Sequence, residues 1–279
     1  MAGDFRLMGV VNVTPDSFSD GGRFLEADAA IAHGVRLADE GAAILDVGGE
    51  STRPGAEPVS EAEELRRVMP VLEGLAAGPD HPLLSIDTSK LAVARAALDA
   101  GAGLVNDVTA FRAEPGVAAL VGERGADCCL MHMLGEPRSM QANPRYDDVV
   151  SDVKAFLEER LAFALGEGVA EERVLLDPGI GFGKTLEHNL ELLRRLDEIV
   201  AIGRPVVVGT SRKSFLGSLT GRAVEDRLAA TIASNVLAYA RGASVFRVHE
   251  VAPVRDALAV AAATVAEPWT TSPTATTRS

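Results

Sequence analysis

Polar side chains follow short apolar runs at eight places along this chain of 279 residues, and they carry groups suited to binding and catalysis. The runs are almost continuously apolar, which is typical of parallel strands that are covered on both faces. They span residues 7–13, 43–47, 83–86, 103–105, 127–131, 173–176, 205–208 and 244–248. The polar residues that end or follow them are Asn12, Asp46, Asp87, Asn106, Asp107, His132, Asp177, residues 209–214, Arg247 and His249.

These residues divide into an acidic group and a cationic group. Asp87, Asn106 and Asp177 supply two carboxylates and an amide, which suit the N–H donors on the edge of a flat, nitrogen-rich heterocycle. The other group combines cations with a hydroxyl, and this combination suits a phosphate or a carboxylate. If that ligand is a pyrophosphate, a divalent metal fits as well, because Mg²⁺ takes few protein ligands and several phosphate oxygens. The members of the cationic group are Thr52, Arg53, Arg212, Lys213, Arg247 and His249.

Helical stretches rich in Ala, Leu, Glu and Arg separate the apolar runs. They cover about residues 26–40, 60–77, 89–100, 115–124, 147–166, 186–200, 224–241 and 252–266. Eight strand–helix units in this length are typical of a (β/α)₈ TIM barrel, although an open parallel sheet has the same alternation. We predict an α/β fold with a single domain, a barrel over residues 1–266, and a flexible polar tail over residues 267–279.

A barrel of this kind would bring the polar ends of the strands together, because its active site lies at the carboxyl ends of the strands. The alternative for each residue alone is a helix N-cap, since Asp and Asn cap helices after short loops. That alternative applies most directly to Asp46 and Asp107. Eight polar strand ends together favour a site.

The segment at residues 179–185 looks like a phosphate-binding loop but does not fit the pattern. G-x-x-x-x-G-K-[ST] requires glycine at position 178, which is Pro178. Nor does an acidic residue stand where a dinucleotide-binding unit needs one, since Asp197 and Glu198 lie inside a helical pattern. We expect these glycines to let the backbone pass close to a ligand.

Composition excludes several classes of protein. The net charge of −13 argues against a nucleic-acid or anionic-membrane binder, which needs a basic surface. Cys128 and Cys129 are neighbours that point to opposite faces of a strand, so they offer neither a disulfide framework nor a zinc site. No apolar run reaches the roughly 18 residues of a membrane span. We expect a cytoplasmic protein.

Eight segments, taken in order, resemble the dihydropteroate synthase family of pterin-binding barrels. The resemblance covers about residues 5–265 and is highly specific because all the segments occur together. The segments are residues 8–22, 48–56, 85–88, 106–108, 131–133, 177–185, 211–214 and 247–249. Departures are mild: Glu250 stands where Asp is more common, and residues 227–231 read Arg-Leu-Ala-Ala-Thr in place of the common Gly-Thr form.

The resemblance implies a transferase of folate biosynthesis. It would join 6-hydroxymethyl-7,8-dihydropterin pyrophosphate to 4-aminobenzoate with Mg²⁺, act as a homodimer and be inhibited by sulfonamides. It implies that Asp87, Lys213 and Arg247 are catalytic and that Asn12 holds the metal. The pterin residues would be Asp87, Asn106, Met131, Asp177, Gly209, Lys213 and Arg247. The pyrophosphate residues would be Asn12, Thr52, Arg247 and His249, and the 4-aminobenzoate residues would be Phe18, Ser51, Thr52, Pro54, Phe182, Lys213 and Ser214.

Two other functions fit part of the pattern. A methyltetrahydrofolate-type methyltransferase also binds a pterin with Asn and Asp, but a methyl transfer has no pyrophosphate for residues 211–213 and 247–249 to hold. A non-enzymatic paralogue would have lost residues that are intact here. We expect the glycine-bearing loops at 14–24 and 53–59 to close over the site and exclude water.

Overall fold

Eight parallel strands alternate with helices in the computed structural model, which describes residues 5–13, 23–52, 55–78, 80–136 and 138–265. The strands lie within one or two residues of the predicted runs at nearly every end, and β5 matches its run. They are β1 Arg6–Asn12, β2 Ile44–Gly48, β3 Leu83–Asp87, β4 Leu104–Asp107, β5 Asp127–Met131, β6 Val174–Asp177, β7 Val207–Val208 and β8 Val245–Val248.

The strands curve into a nearly closed barrel. Their order is β6-β5-β4-β3-β2-β1-β8-β7, so the first and last strands of the chain are neighbours. A single bridge between Leu176 and Val206 joins β6 to the start of β7 and closes the ring. The barrel predicted from eight strand–helix units is therefore confirmed, and the open sheet is excluded. The predicted tail at 267–279 lies outside the described residues.

Helices surround the barrel. Their bounds are α1 Arg23–Asp39, α2 Glu61–Ala76, α3 Leu91–Asp99, α4 Gly116–Arg124, α5 Val149–Gly166, α6 Leu186–Arg194, α7 Leu196–Val200, α8 Ser214–Thr220, α9 Leu228–Ala240 and α10 Val251–Val265. Two differences from the predicted stretches stand out. The stretch 186–200 is two helices that meet at Arg195, and the short α8 has no predicted counterpart.

Two apolar layers hold the barrel together. Inside, a small cluster made of strand side chains includes Met8, Leu104 and Cys129. Outside, a much larger cluster between strands and helices includes Cys128. The two cysteines thus face opposite sides of β5, as the alternation of a strand requires. Each fully buried Leu, Ile or Met side chain contributes roughly 1.5–3 kcal/mol to folding.

Glycines follow the carboxyl ends of three helices, and Ser60 caps the start of α2. Gly41, Gly101 and Gly242 follow helices at φ of 105°, 102° and 97°, a region that favours glycine. Ser60 accepts a hydrogen bond from the backbone N–H of Glu63 at 3.3 Å. The Glu63 side chain does not reach back to form a capping box with Ser60, because it pairs with Arg66 and Arg67.

No helix of the described residues is both long enough and apolar enough to cross a bilayer.

Candidate active site

One cavity opens among the carboxyl ends of the strands, where the barrel was expected to collect its polar residues. Ten of the predicted site residues line it, and Val10, Val108, Ile180 and Ser211 complete the wall. The ten are Thr52, Asp87, Asn106, Met131, Asp177, Phe182, Gly209, Lys213, Arg247 and His249. The acidic group and four of the six members of the cationic group therefore face the same space.

The acidic side of the cavity is almost completely buried. Asp87 and Asp177 end β3 and β6, and Asn106 is the last residue but one of β4. Their exposed fractions are 9%, 6% and 5%, in that order. Burial raises the pKa of Asp87 to about 7, against the opposing influence of the Arg247 cation. Burial likewise raises the pKa of Asp177. A carboxyl group whose pKa is moved this far by burial is typical of functional sites.

Asp46 in β2 organises the residues next to it without lining the cavity itself. It is fully buried, and its carboxylate accepts hydrogen bonds from Ser85 Oγ at 2.6 Å, Asn106 Nδ2 at 3.0 Å and Arg247 Nε at 2.6 Å. A charged acceptor fixes the amide orientation of Asn106, with Oδ1 as the atom left for a ligand. The alternative of a simple helix cap for Asp46 is wrong.

Asp107 does act as a local cap. Its carboxylate accepts from the backbone N–H groups of Thr109 at 2.7 Å and Phe111 at 2.9 Å. These bonds cap a turn in the loop after β4. The helix N-cap considered from the sequence is wrong, because the next helix, α4, begins only at Gly116 with Pro115 as its N-cap.

Arg247 joins the acidic and cationic sides. Its Nη2 donates to Asp87 Oδ2 at 2.8 Å while its Nε is held by Asp46, so two carboxylates fix one guanidinium. Although burial alone would lower it, the pKa of Arg247 is raised by these two carboxylates. Ion pairs of this kind keep a buried cation charged and rigid.

Lys213 lies beneath the ring of Phe182, with Nζ 3.8 Å from the ring centroid. Burial and the nearby Arg247 cation lower the pKa of Lys213 to about 8. Gly181 passes close to the lysine, since a Cβ there would lie 3.1 Å from Lys213 Cδ. The glycine thus lets the backbone pass close to a side chain that lines the cavity, and the expected close approach to a ligand stays a prediction.

The remaining cationic residues have different surroundings. His249 Nδ1 lies 3.0 Å from Ser211 Oγ and lines the cavity together with Thr52. Arg212 turns away from the cavity to pair with Glu250, Nε to Oε1 at 2.7 Å. The prediction that Arg212 belongs to the anion-binding group is therefore wrong for this cavity, because Arg212, unlike Arg247, does not line it.

Three of the predicted site residues that the structure describes do not line this cavity. Asn12 ends β1 half-buried opposite Gly48, Ser51 lines an adjoining cavity beside Thr52, and Ser214 is exposed at the start of α8. Phe18 and Pro54 lie outside the described residues, as does Arg53. Of the two loops expected to close over the site, residues 14–22 and 53–54 lie outside the described residues.

The segment that resembles a phosphate loop has a structural role instead. Lys184 is buried, and its Nζ lies 2.9 Å from His132 Nδ1 and donates to the carbonyl of Phe182 at 3.0 Å. Burial lowers the pKa of Lys184 to about 7 and, with the lysine beside it, the pKa of His132 to about 2. The lysine therefore ties the loop after β5 to the loop after β6.

Sequence reasoning did not assign a role to Asp46 or Lys184. For Asp46 the only signal was a carboxylate at a strand end, and its partner Arg247 lies 201 residues away. For Lys184 the signal was a lysine within a glycine-rich segment, which points equally to a phosphate and to backbone carbonyls.

Comparison with known proteins now identifies the barrel. The profile of the pterin binding enzyme family matches residues 8–249. The dihydropteroate synthase of Haemophilus influenzae is 44% identical over 259 residues, which cover 93% of this chain and 94% of that protein. This chain belongs to the dihydropteroate synthase family.

Solved dihydropteroate synthase structures share the whole fold. The enzyme of Xanthomonas albilineans with 4-aminobenzoic acid has a TM-score of 0.89 and 50% identity, covering 96% of this chain and 95% of that one. The enzyme of Yersinia pestis with a sulfonamide drug has a TM-score of 0.88 and 44% identity, covering 95% of each chain. As a dihydropteroate synthase, the protein is a pterin-binding transferase of folate biosynthesis.

Proposed function

We propose that the cavity condenses 6-hydroxymethyl-7,8-dihydropterin pyrophosphate with 4-aminobenzoate to give 7,8-dihydropteroate and pyrophosphate. One observation carries this assignment. A buried acidic wall and a fixed set of cations face each other across one cavity at the carboxyl ends of the strands. The substrate has the same polarity, with N–H donors on the ring edge and negative charge on the pyrophosphate.

The acidic wall recognises the pterin edge. Each of the three side chains already makes one hydrogen bond inside the protein. Asp87 accepts from Arg247, and Asn106 donates its amide N–H to Asp46. Asp177 Oδ1 accepts from the backbone N–H of Gly179 at 2.6 Å. The remaining oxygen of each side chain then accepts from a ring N–H group. Met131 and Gly209 complete the pocket for the ring.

The cationic side holds the leaving group. Three residues that line the cavity carry donors for the pyrophosphate, namely Arg247, His249 and Thr52. Arg247 would also lie over the pterin ring. Because its two carboxylate partners hold it in place, its donors meet the developing negative charge without reorganisation. Lys213 reaches both the pterin and the 4-aminobenzoate sides, with Phe182 stacked on its amine.

The chemistry needs no protein nucleophile. The bond between the pterin methylene carbon and the pyrophosphate oxygen breaks, and its electron pair leaves with pyrophosphate. The carboxylate of Asp87 and the conjugated ring stabilise the electron-poor methylene. The neutral arylamine attacks that carbon, and the new C–N bond is completed when the amine loses one proton to solvent.

We also propose Mg²⁺ as the cofactor. Asn12 brings an amide oxygen to the carboxyl end of β1, and the described residues contain no group of three His, Cys, Asp or Glu suited to a metal. This donor set fits an ion that takes most of its ligands from pyrophosphate and water. Bound there, the ion would neutralise charge on the leaving group.

The 4-aminobenzoate side would be formed by Phe182, Thr52 and Lys213, with Ser51, Ser214, Phe18 and Pro54 around them. The Xanthomonas enzyme was solved with 4-aminobenzoic acid and the Yersinia enzyme with a sulfonamide drug, and these two solved relatives support the proposal. We expect sulfonamides to inhibit this protein by competing with 4-aminobenzoate. Turnover unchanged at high sulfonamide would contradict that expectation.

The direct test measures pyrophosphate release from the pterin pyrophosphate with 4-aminobenzoate and Mg²⁺. We expect turnover by the wild type and a loss of at least about 100-fold in Lys213→Ala, the range seen when one stabilising donor is removed. A comparable loss is expected in Asp177→Asn, which replaces a charged acceptor for the ring N–H by a neutral amide. Full activity in both variants would contradict the site assignment. The methyltransferase alternative predicts no release by the wild type.

A homodimer and a cytoplasmic location complete the proposal. The outer faces of α9 and α10 carry exposed apolar residues, including Leu237 at 63% and Val260 at 68% exposure. A second copy of this chain is the partner with a matching apolar face. Two free, buried cysteines agree with a reducing compartment. The absence of nucleic-acid and membrane partners stays a prediction from the net charge.

A further inference from the structure

The residue before Lys213 has an unusual backbone conformation. Arg212 has φ of 59°, in the left-handed region that side chains other than glycine seldom adopt. It is followed by Lys213, the N-cap of α8, so its conformation sets the direction in which Lys213 leaves the strand. Such a conformation persists only where the surroundings hold it in place.

Two residues at the start of α9 hold both sides of Arg212. Thr231, which is fully buried, accepts a hydrogen bond from the backbone N–H of Arg212 at 3.2 Å. Arg227 Nη1 donates to the carbonyl oxygen of Arg212 at 2.9 Å and to that of Lys213 at 3.4 Å. The Arg212 side chain is held in turn by Glu250.

A glycine in α8 makes room for this arrangement. A Cβ on Gly217 would lie 2.3 Å from Arg227 Nη2 and 2.5 Å from its Cζ. The guanidinium cannot shift away freely, because its Nε also donates to the carbonyl of Arg222 at 3.1 Å. An alanine at position 217 would therefore displace the donor that holds the backbone of Arg212.

We propose that Arg227, Thr231 and Gly217 are positioning residues that hold the Arg212 peptide groups and thereby place Lys213 in the cavity. The inference rests on the proposed role of Lys213. None of the three residues lines the cavity, so each acts through the backbone of Arg212 and Lys213. The start of α9 thus positions a residue of the cavity although it does not line the cavity itself.

Gly217→Ala separates positioning from folding. Alanine favours a helix over glycine, which offsets the cost of displacing the Arg227 side chain, so the melting temperature should change little. We expect kcat/KM for pyrophosphate release to fall at least tenfold. Gly166→Ala is the matched control, because Gly166 is helical and nothing lies within 4 Å of its added Cβ. Equal activity of the two variants would overturn the proposal.

Thr231 provides a second, independent test. Thr231→Val removes the acceptor for the Arg212 N–H and should lower kcat/KM about tenfold, whereas Thr231→Ser, which keeps the hydroxyl, should recover most of that loss. If serine and valine lower kcat/KM equally with similar melting temperatures, the hydroxyl does not position the loop.

A double-mutant cycle decides whether the effect passes through Lys213. In a Lys213→Ala background, Gly217→Ala should change the residual kcat/KM less than twofold. A further loss of the full tenfold would overturn the proposal.

The reactivity of the lysine amine gives a readout that does not need turnover. Labelling of Lys213 by acetic anhydride, followed by peptide mass spectrometry, should titrate near its pKa of about 8 in the wild type. In Gly217→Ala the midpoint should move upward, towards that of an ordinary lysine. An unchanged midpoint would overturn the proposal even if the wild type proved to lack synthase activity.

Discussion

Asp46 connects more of the site than any residue that touches the cavity. One buried carboxylate holds Ser85, Asn106 and Arg247 in fixed positions. The sequence placed Arg247 and Asn106 at the mouth of the barrel, because both stand at strand ends. It could not pair them with Asp46, since the pairing depends on the register of three strands around the ring.

Replacing Asp46 should damage both stability and activity. Asp46→Ala leaves the Arg247 guanidinium with one carboxylate in place of two, and removing one partner of a buried ion pair costs about 3–5 kcal/mol. We expect a loss of that size in chemical denaturation and a fall in kcat/KM of about 100-fold. Ser85→Ala, which removes one hydrogen bond to the same carboxylate, should cost only about 1 kcal/mol. Equal losses would contradict a central role for Asp46.

The pH profile should report the two groups whose pKa values lie near neutrality. Asp87 gains its negative charge as pH rises through about 7, and Lys213 loses its positive charge as pH rises through about 8. If both charged forms are needed, kcat/KM has a narrow bell shape between these values. Asp87→Asn should remove the acidic limb, and Lys213→Arg should remove the basic limb because arginine stays protonated. A flat profile from pH 6 to 9 would contradict this assignment.

At the scale of elements, the loops after β5 and β6 behave as one unit. Lys184 joins them, and the backbone of Gly179 passes directly against the carbonyl of His132, which a Cβ would approach to 1.8 Å. This contact explains why a glycine-rich segment stands at the end of β6. The loop that follows Asp177 at the end of β6 is thus positioned by the loop after the neighbouring strand β5.

Alanine at position 179 should therefore be far more harmful than alanine at another left-handed glycine. Gly179 and Gly203 have φ of 66° and 92°, but nothing lies within 4 Å of a Cβ on Gly203. Gly203→Ala should cost roughly 1–2 kcal/mol from backbone strain alone. Gly179→Ala should lose more stability and should also lower the affinity for a pterin in calorimetry. Similar behaviour of the two variants would contradict the packing argument.

Some elements followed from the sequence and others did not. The run at β5 matches its strand because Asp127 and the four apolar residues after it stand directly before the polar His132. The seven residues of α8 gave no amphipathic pattern long enough to recognise, and Arg195 separates α6 from α7 inside one continuous helical pattern. In both cases the helix boundaries depend on contacts with neighbouring helices. Such contacts cannot be read from the sequence pattern alone.

For the whole molecule, the exposed faces of α9 and α10 predict self-association. Leu237 and Val260 protrude among exposed alanines on adjacent helices. Replacing both by glutamate should convert a dimer to a monomer in sedimentation velocity, since charged groups at the core of an interface are strongly disfavoured. Leu165→Glu, on α5 and also exposed, is the control and should leave the dimer intact. A wild type that sediments as a monomer would contradict the proposal.

The closure between β6 and β7 has a consequence for how ligands act on the barrel. These strands meet at one bridge, and β7 has only two residues, so the ring has a narrow seam there. Asp177 ends the strand on one side of the seam, and Lys213 follows the strand on the other. A pterin bound by both residues would link the two sides of this seam and would stabilise the closed ring. Amide hydrogen exchange at Leu176 and Val207 should then slow on pterin binding. A ligand that contacts only one side of the seam should leave these exchange rates unchanged.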